Sequence, residues 1–103
     1  MVKPFSPARL RRIVAAVAIH HGLAPSDLLV PCQRRRVAWP RQDAMLACRR
    51  LTMASLPSIG RALERDHSTV LHGIRAAAAR DGAEAMLARV RAVVDGADRM
   101  GAA

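Results

Sequence analysis

Apolar side chains recur every three or four residues along most of the chain, the spacing that places them on one face of an α-helix. Five groups show it: Leu10, Ile13, Val14 and Val17; Ala44, Met45, Cys48 and Leu51; Leu56, Ile59 and Leu63; Val70, Ile74 and Ala77; and Met86, Leu87, Val90 and Val94. Runs of β-branched and aromatic residues, which favour strands, are scarce. The pattern predicts an all-α fold, a compact bundle of about five helices in a single domain spanning residues 1–103.

Capping residues set the predicted ends of the outer helices. Ser6 is suited to cap a helix and Pro7 to occupy its first position, so the first helix begins there. Residues 81–84 form a capping box that opens the last helix, predicted at 82–95. Residues 97–103 are predicted to be a disordered tail.

Residues 55–79 predict two short helices joined by a tight turn, which is the arrangement of a helix-turn-helix. Ser55 is suited to cap the first of these helices and Asp66 the second. A helical wheel places His72 and Arg75 on the outward side of the second helix, opposite its apolar stripe. The first turn of that helix carries hydrogen-bonding side chains, which suits it to enter a DNA groove.

The charge of the chain is strongly positive and unevenly distributed. The net charge is +9; residues 1–50 contain ten basic and two acidic residues, against seven and six in residues 51–103. Such a field favours a polyanionic partner, nucleic acid first and an anionic membrane surface second. Because sixteen of the seventeen basic residues are arginine, a GC-rich genome that favours arginine codons is the alternative explanation.

The most basic segment, QRRR at residues 33–36, is predicted to be a loop, because Pro40 is predicted to begin the next helix, which runs to about residue 52. Arginines in such a loop are suited to reach phosphates or to insert into a narrow minor groove, and a solvated run of charge is the alternative. Helical spacing also predicts that Arg9 and Arg41 lie on the exposed, polar sides of their helices.

Several classes of function lack their sequence signals. No apolar segment approaches the roughly 20 residues of a membrane span, and the first residues have no signal-peptide core. Cys32 and Cys48 fit no zinc spacing with the four histidines. No phosphate-binding G-x-x-x-x-G-K-[ST] loop and no nucleophile–base pair is evident, so we predict no enzymatic activity, no cofactor and no metal. We expect a cytoplasmic, nucleoid-associated protein.

Three segments carry a family resemblance. The stretch LTMASLPSIGRALERDHSTVLHGIR, at residues 51–75, resembles the signature of the C-terminal DNA-binding domain of the DnaA family, the bacterial replication initiators. VAWPRQDAMLACRRL, at 37–51, and RRIVAAVAIHHGLAPSDLLV, at 11–30, resemble the segments that precede it. The resemblance implies a Trp-repressor-like helix-turn-helix that docks as a monomer on double-stranded DNA at DnaA-box-like sites, of the TTATCCACA kind.

The resemblance, together with the chemistry of the side chains, implies which residues meet DNA. Contacts with bases are expected from Leu56, Pro57, Asp66, His67, Ser68 and Thr69. Contacts with the backbone or the minor groove are expected from Gln33, Arg34, Arg35, Arg36, Arg41, Gln42, Arg65, His72 and Arg75. The minor-groove arginine of the family falls on Gln33, and a helix cap alone also explains Asp66.

The chain departs from the family pattern at three points. LERDH, ending at His67, is one residue shorter than the usual FGGRDH and lacks its glycines, and Ser68 stands in place of a threonine. Trp39 occupies a position where the family often has a basic residue. It either packs on the start of its helix or contacts the sugar–phosphate edge.

The leading functional interpretation is a sequence-specific DNA-binding protein. Without an ATPase module it reads as a stand-alone copy of the domain that modulates replication initiation or transcription. The alternative is a protein-interaction factor that regulates the replication initiator through a retained DnaA-like fold, with replication initiation proteins as partners. A third interpretation is a basic, nucleoid-coating protein.

Overall fold

The computed structural model describes residues 6–101. The helices are α1 (Pro7–His20), α2 (Arg35–Leu51), α3 (Leu56–Leu63), α4 (His67–Ala79) and α5 (Ala83–Gly101), and a 3₁₀ turn covers Pro25–Leu28. No strand occurs in this part of the chain. The predicted all-α bundle of five helices is therefore confirmed, and α3 and α4 form its helix-turn-helix.

A single apolar core joins all five helices. Of the predicted stripe positions, only Leu56 and Ile74 are half-buried, and the others are buried. Each large apolar side chain that leaves water in this way contributes roughly 1.5–3 kcal/mol to folding. Helix α2 lies centrally, against α1 on one side and α4 on the other, so it positions the recognition helix relative to the rest of the bundle.

Helix α2 begins five residues earlier than predicted, at Arg35 instead of Pro40. Arg34 has an extended backbone, and its carbonyl accepts from the amides of Val37 (3.0 Å) and Ala38 (2.8 Å), which starts the helix there. Pro40 lies inside the helix, where its fixed φ suits helical backbone but its missing N–H removes one intrahelical hydrogen bond. Arg35 and the next arginine therefore lie on the first helical turn, so the prediction of a loop was wrong for them.

The predicted exposure of Arg9 was also wrong. Its side chain is buried at the junction of α1 and α5, where it forms ion pairs with Asp95 (3.4 Å) and Asp98. Arg12 Nε lies 3.5 Å from the same Asp98 carboxylate. These contacts hold the end of α5 against α1, and the helix continues to Gly101 instead of ending near residue 95. Residues 102 and 103 of the predicted tail lie outside the described residues.

Candidate nucleic-acid interface

The turn between α3 and α4 is built without the glycine pair that is usual in the family. Glu64 adopts the left-handed conformation, with φ 56° and ψ 45°, and ends α3. The amide of Arg65 then donates to the carbonyl of Gly60 (2.9 Å), the six-to-one bond of a Schellman motif. A Cβ at Gly60 would lie 2.3 Å from the Arg65 carbonyl oxygen, so the close approach of the turn to α3 requires a glycine there.

The N-terminal turn of α4 is capped and open to solvent. Asp66 accepts from the Thr69 amide (2.9 Å) and from the Thr69 hydroxyl (3.3 Å), as the predicted cap requires. The hydrogen bond from the Thr69 backbone is the main reason why the pKa of the Asp66 carboxyl lies below its ordinary value. His67 and Ser68 are exposed, and neither side chain makes a hydrogen bond within the described range. Their polar atoms are free to meet a partner.

Two arginines fix the loop that precedes α2 against the helix-turn-helix. Arg41 donates to the carbonyls of Leu28 (2.8 Å), Val30 (2.5 Å) and Cys32 (3.0 Å). Arg65 donates to the same Val30 carbonyl (2.8 Å) from the turn between α3 and α4. Burial, and to a lesser degree the charge of Arg65, lowers the pKa of Arg41. The predicted exposure of Arg41 was therefore wrong: its guanidinium is buried and donates to three carbonyls of the loop that precedes α2.

The loop, the start of α2 and the outward side of α4 enclose one open groove. Its lining consists of Pro31, Cys32, Gln33, Arg35, Ala38, Trp39, Arg41, Gln42, Arg65, Thr69 and His72. Six of these, besides Arg41, are predicted DNA contacts, and no carboxylate is among them. The structure thus brings residues from three separate stretches of sequence to one basic surface, which we call the basic groove.

The remaining predicted contacts lie outside the lining of the basic groove. Arg34 and Arg36 are exposed at the start of α2, and Arg75 is exposed farther along α4. Leu56 is half-buried and Pro57 is exposed at the N-terminus of α3, where the Ser55 hydroxyl accepts from the Ser58 amide (3.3 Å). The tip of α4, at Asp66, His67 and Ser68, is likewise exposed.

Sequence reasoning missed a polar network beside the basic groove. Arg80, at the end of α4, donates to Gln42 (2.7 Å), to Asp43 (3.1 Å) and to the Trp39 carbonyl (3.2 Å). Asp43 in turn lies 2.8 Å from His21 Nε2. The guanidinium carbon of Arg80 also lies 4.7 Å from the centroid of the Trp39 ring. The unusual tryptophan at position 39 was the one sequence signal that pointed to this network. Nothing in the sequence indicated that Arg80 pairs with residues about 40 positions away.

Three further observations concern residues 6–101. No helix between residues 6 and 101 is long and apolar enough to cross a membrane. No cluster of three or more histidine, cysteine, aspartate or glutamate side chains in that range is arranged to hold a metal ion. Cys48 is buried, and burial raises the pKa of its thiol to about 12.

An all-α bundle that presents the capped, solvent-exposed tip of one helix beside a carboxylate-free basic groove is a helix-turn-helix protein of the DNA-binding class. The family model for the bacterial DnaA protein helix-turn-helix matches residues 10–76, well over half of the chain. The chain therefore belongs to the DnaA helix-turn-helix family, DNA-binding domains of replication initiation, as its resemblance implied.

Individual relatives agree with this assignment. The chromosomal replication initiator protein DnaA of Xanthobacter autotrophicus is 42% identical over 78 residues, covering 73% of this chain and 15% of that protein. The DnaA of Caulobacter vibrioides is 50% identical over 64 residues, covering 61% and 13%. A crystal structure of a DNA replication initiation factor superposes with a TM-score of 0.76 at 31% identity, covering 87% of this chain and 29% of that one. The chain spans only about one seventh of the length of the curated relatives.

Proposed function

We propose that this protein binds double-stranded DNA sequence-specifically at DnaA-box-like sites and so modulates replication initiation or transcription, without ATPase activity of its own. The observation that carries the proposal is the basic groove. It joins Gln33 and Arg35 to Thr69 and His72 of the recognition helix, beside an α4 tip whose polar side chains face solvent. A duplex that takes the tip into its major groove then meets cations with a neighbouring strand.

The tip of α4 supplies the proposed reading of bases. His67 and Ser68 donate to or accept from base edges, and Thr69 offers its methyl group to a thymine. Asp66 holds the first turn in shape, and its carboxylate is placed to accept from a cytosine amino group. Leu56 and Pro57, at the start of α3, offer apolar contacts for thymine methyl groups.

Arginine, histidine and glutamine side chains around the basic groove supply the proposed contacts with the DNA backbone. Exposed side chains proposed to reach phosphates or the minor groove are Gln33, Arg34, Arg35, Arg36, His72 and Arg75. Gln42, half-buried beside them, is proposed as a further backbone contact. Arg41 and Arg65 act mainly through the loop carbonyls that they hold, and so keep Gln33 and its neighbours beside the DNA. The N-terminus of α4 adds a partial positive charge that favours a nearby phosphate.

The test is a fluorescence anisotropy titration with two labelled duplexes, one with a TTATCCACA-type box and one with the same bases scrambled. At one moderate salt concentration, the dissociation constant for the box should be smaller by roughly 100-fold or more, as for specific DNA-binding domains. A ratio near one would overturn sequence specificity. Analytical ultracentrifugation of the box complex should show one protein per site, since we propose a monomer.

The proposed binding also gives the protein its place in the cell. A protein that binds boxes on chromosomal DNA resides in the cytoplasm at the nucleoid. Fluorescence microscopy of a tagged protein should show it on the nucleoid. A variant that no longer binds the box should be distributed more evenly through the cytoplasm.

A further inference from the structure

Trp39 combines features that its family position does not explain. The side chain is 43% exposed, although tryptophan is one of the largest apolar side chains. It lies in the second turn of α2 and lines the basic groove together with Thr69 and His72 of the recognition helix. A half-exposed indole in a groove lined by cations suits a partner that presents both apolar and anionic atoms.

Two guanidinium groups stack on the Trp39 ring. Their central carbons lie 5.1 Å (Arg35) and 4.7 Å (Arg80) from the ring centroid, which is the range of a cation–π interaction. Asp43 neutralises Arg80, whose nitrogens also donate to Gln42 and to the Trp39 carbonyl. Arg35 is exposed and makes no hydrogen bond or ion pair with another described residue. Of the two arginines on the ring, Arg80 is therefore already paired within the protein, whereas the charge of Arg35 is free to pair with a phosphate.

The chemistry of the cluster favours one partner, the sugar–phosphate edge of a duplex. A deoxyribose presents apolar carbons next to anionic phosphate oxygens, which matches an indole edge next to a guanidinium. A ring already stacked with two guanidinium groups is poorly suited to stack on an unpaired base as well. Cation–π support also restricts the otherwise mobile Arg35 side chain, so less conformational freedom is lost when it binds a phosphate.

We propose that Trp39 is a DNA-backbone contact: its exposed edge packs on a deoxyribose, and it holds Arg35 against the adjacent phosphate. Arg80 helps to position the ring, because it contacts the ring and also bonds to Gln42 and Asp43 of α2. The inference rests on the proposed function, because it requires a duplex in the basic groove. The indole–guanidinium pair then does the work of the basic residue that the family often has at this position.

The chain has one tryptophan and no tyrosine, so its intrinsic emission reports on Trp39 alone. Anisotropy of a labelled box duplex measures binding independently of that emission. Titration with unlabelled box duplex should quench the Trp39 emission saturably, with the same midpoint as the anisotropy curve. Binding by anisotropy with unchanged emission would overturn the inference and leave the proposed function standing, whereas an unchanged anisotropy would overturn the function itself.

Variants separate contact from folding. Trp39→Ala should weaken binding roughly fivefold on box and scrambled duplexes alike, since a backbone contact is blind to sequence. Trp39→Phe, which keeps a ring under Arg35, should restore most of the affinity. Arg35→Ala, at an exposed position, should match Trp39→Ala and reduce the slope of log affinity against log salt by about 0.9.

Val93→Ala is the matched control, since Val93 is 60% exposed on α5 and lines no part of the basic groove. It should leave affinity and slope unchanged. Thermal unfolding of all four variants checks that each is folded. If Arg35→Ala binds like the wild-type chain with an unchanged slope, the inference is wrong, whatever Trp39→Ala does.

Discussion

At the scale of single residues, the proposed reading of bases depends on the exposed polar atoms of the α4 tip. Asp66 and Thr69 largely satisfy each other, whereas His67 and Ser68 make no side-chain hydrogen bond within the described range. A side chain without a hydrogen-bond partner in the protein breaks no internal hydrogen bond when it binds a base edge. Sequence discrimination should therefore be concentrated at His67 and Ser68.

His67→Ala should cost roughly 1–3 kcal/mol of binding free energy on the box duplex and much less on the scrambled one, because we propose that the imidazole contacts a base. The measurement is the pair of anisotropy titrations. His20→Ala is the matched control, since His20 is exposed at the end of α1 and lies outside the lining of the basic groove. An equal loss on both duplexes would contradict the assignment of His67 to a base.

Single residues are also where pattern reasoning failed most clearly. Arg9 and Arg41 fall on polar positions of their helices, yet both are buried. Arg9 pairs with carboxylates 86 and 89 positions away, and Arg41 bonds carbonyls 9 to 13 positions upstream. A helical wheel considers only the residue type and its angle around one helix. It therefore cannot show that a charged side chain is buried because it pairs with groups on another segment.

At the scale of elements, the turn of the helix-turn-helix depends on one close approach and one unusual backbone conformation. Sequence signals predicted both helices and both caps, because caps are local hydrogen bonds between residues three apart. They did not predict how a turn without the family's glycines closes. The structure shows that Glu64 takes the left-handed conformation and that Gly60 gives space to the Arg65 carbonyl.

Gly60→Ala should destabilise the fold by about 1–2 kcal/mol, because the new methyl group meets backbone instead of a flexible side chain. Urea denaturation followed by circular dichroism measures the change. Gly96→Ala is the same change inside α5, where a new Cβ would come no closer to a neighbour than 3.9 Å, at the end of the Arg99 side chain; it should instead stabilise the fold by up to about 1 kcal/mol. Equal effects of the two substitutions would contradict the packing argument.

Glu64→Gly should stabilise the fold by about 0.5–1 kcal/mol, since a glycine adopts a positive φ without strain from a Cβ. The urea midpoint should rise with an unchanged slope of free energy on denaturant. Glu84→Gly, in the first turn of α5, should lower the midpoint, since it places a glycine in a helix and removes the ion pair with Arg50 (2.9 Å). A fall in the midpoint for Glu64→Gly would show that its side chain does more than the structure indicates.

At the scale of the whole molecule, the distribution of charge sets how the protein finds and holds DNA. The excess of positive charge lies in residues 1–50, and folding places part of it, through Arg35 and the loop before α2, beside the recognition helix. Basic charge along one groove steers a polyanion toward that groove. Binding should therefore depend steeply on ionic strength.

With about five phosphate contacts, the logarithm of the association constant should fall with the logarithm of salt concentration with a slope of about −4 to −5. Anisotropy titrations between about 50 and 200 mM salt measure it, with the scrambled duplex as the reference for purely electrostatic binding. A slope shallower than about −2 on the box would contradict the proposed grip on the backbone.

The sequence by itself determined that the five helices exist, the caps of α1, α3 and α4, and the helix-turn-helix, because these follow from apolar spacing and from hydrogen bonds between near neighbours. It also indicated the family and the polar tip at His67 and Ser68. Only the tertiary structure decided that α2 begins at Arg35, that Arg41 is a buried anchor, and that Trp39 holds Arg35 beside α4. Those outcomes depend on contacts between segments far apart in sequence, whose free energies appear only once the helices have packed.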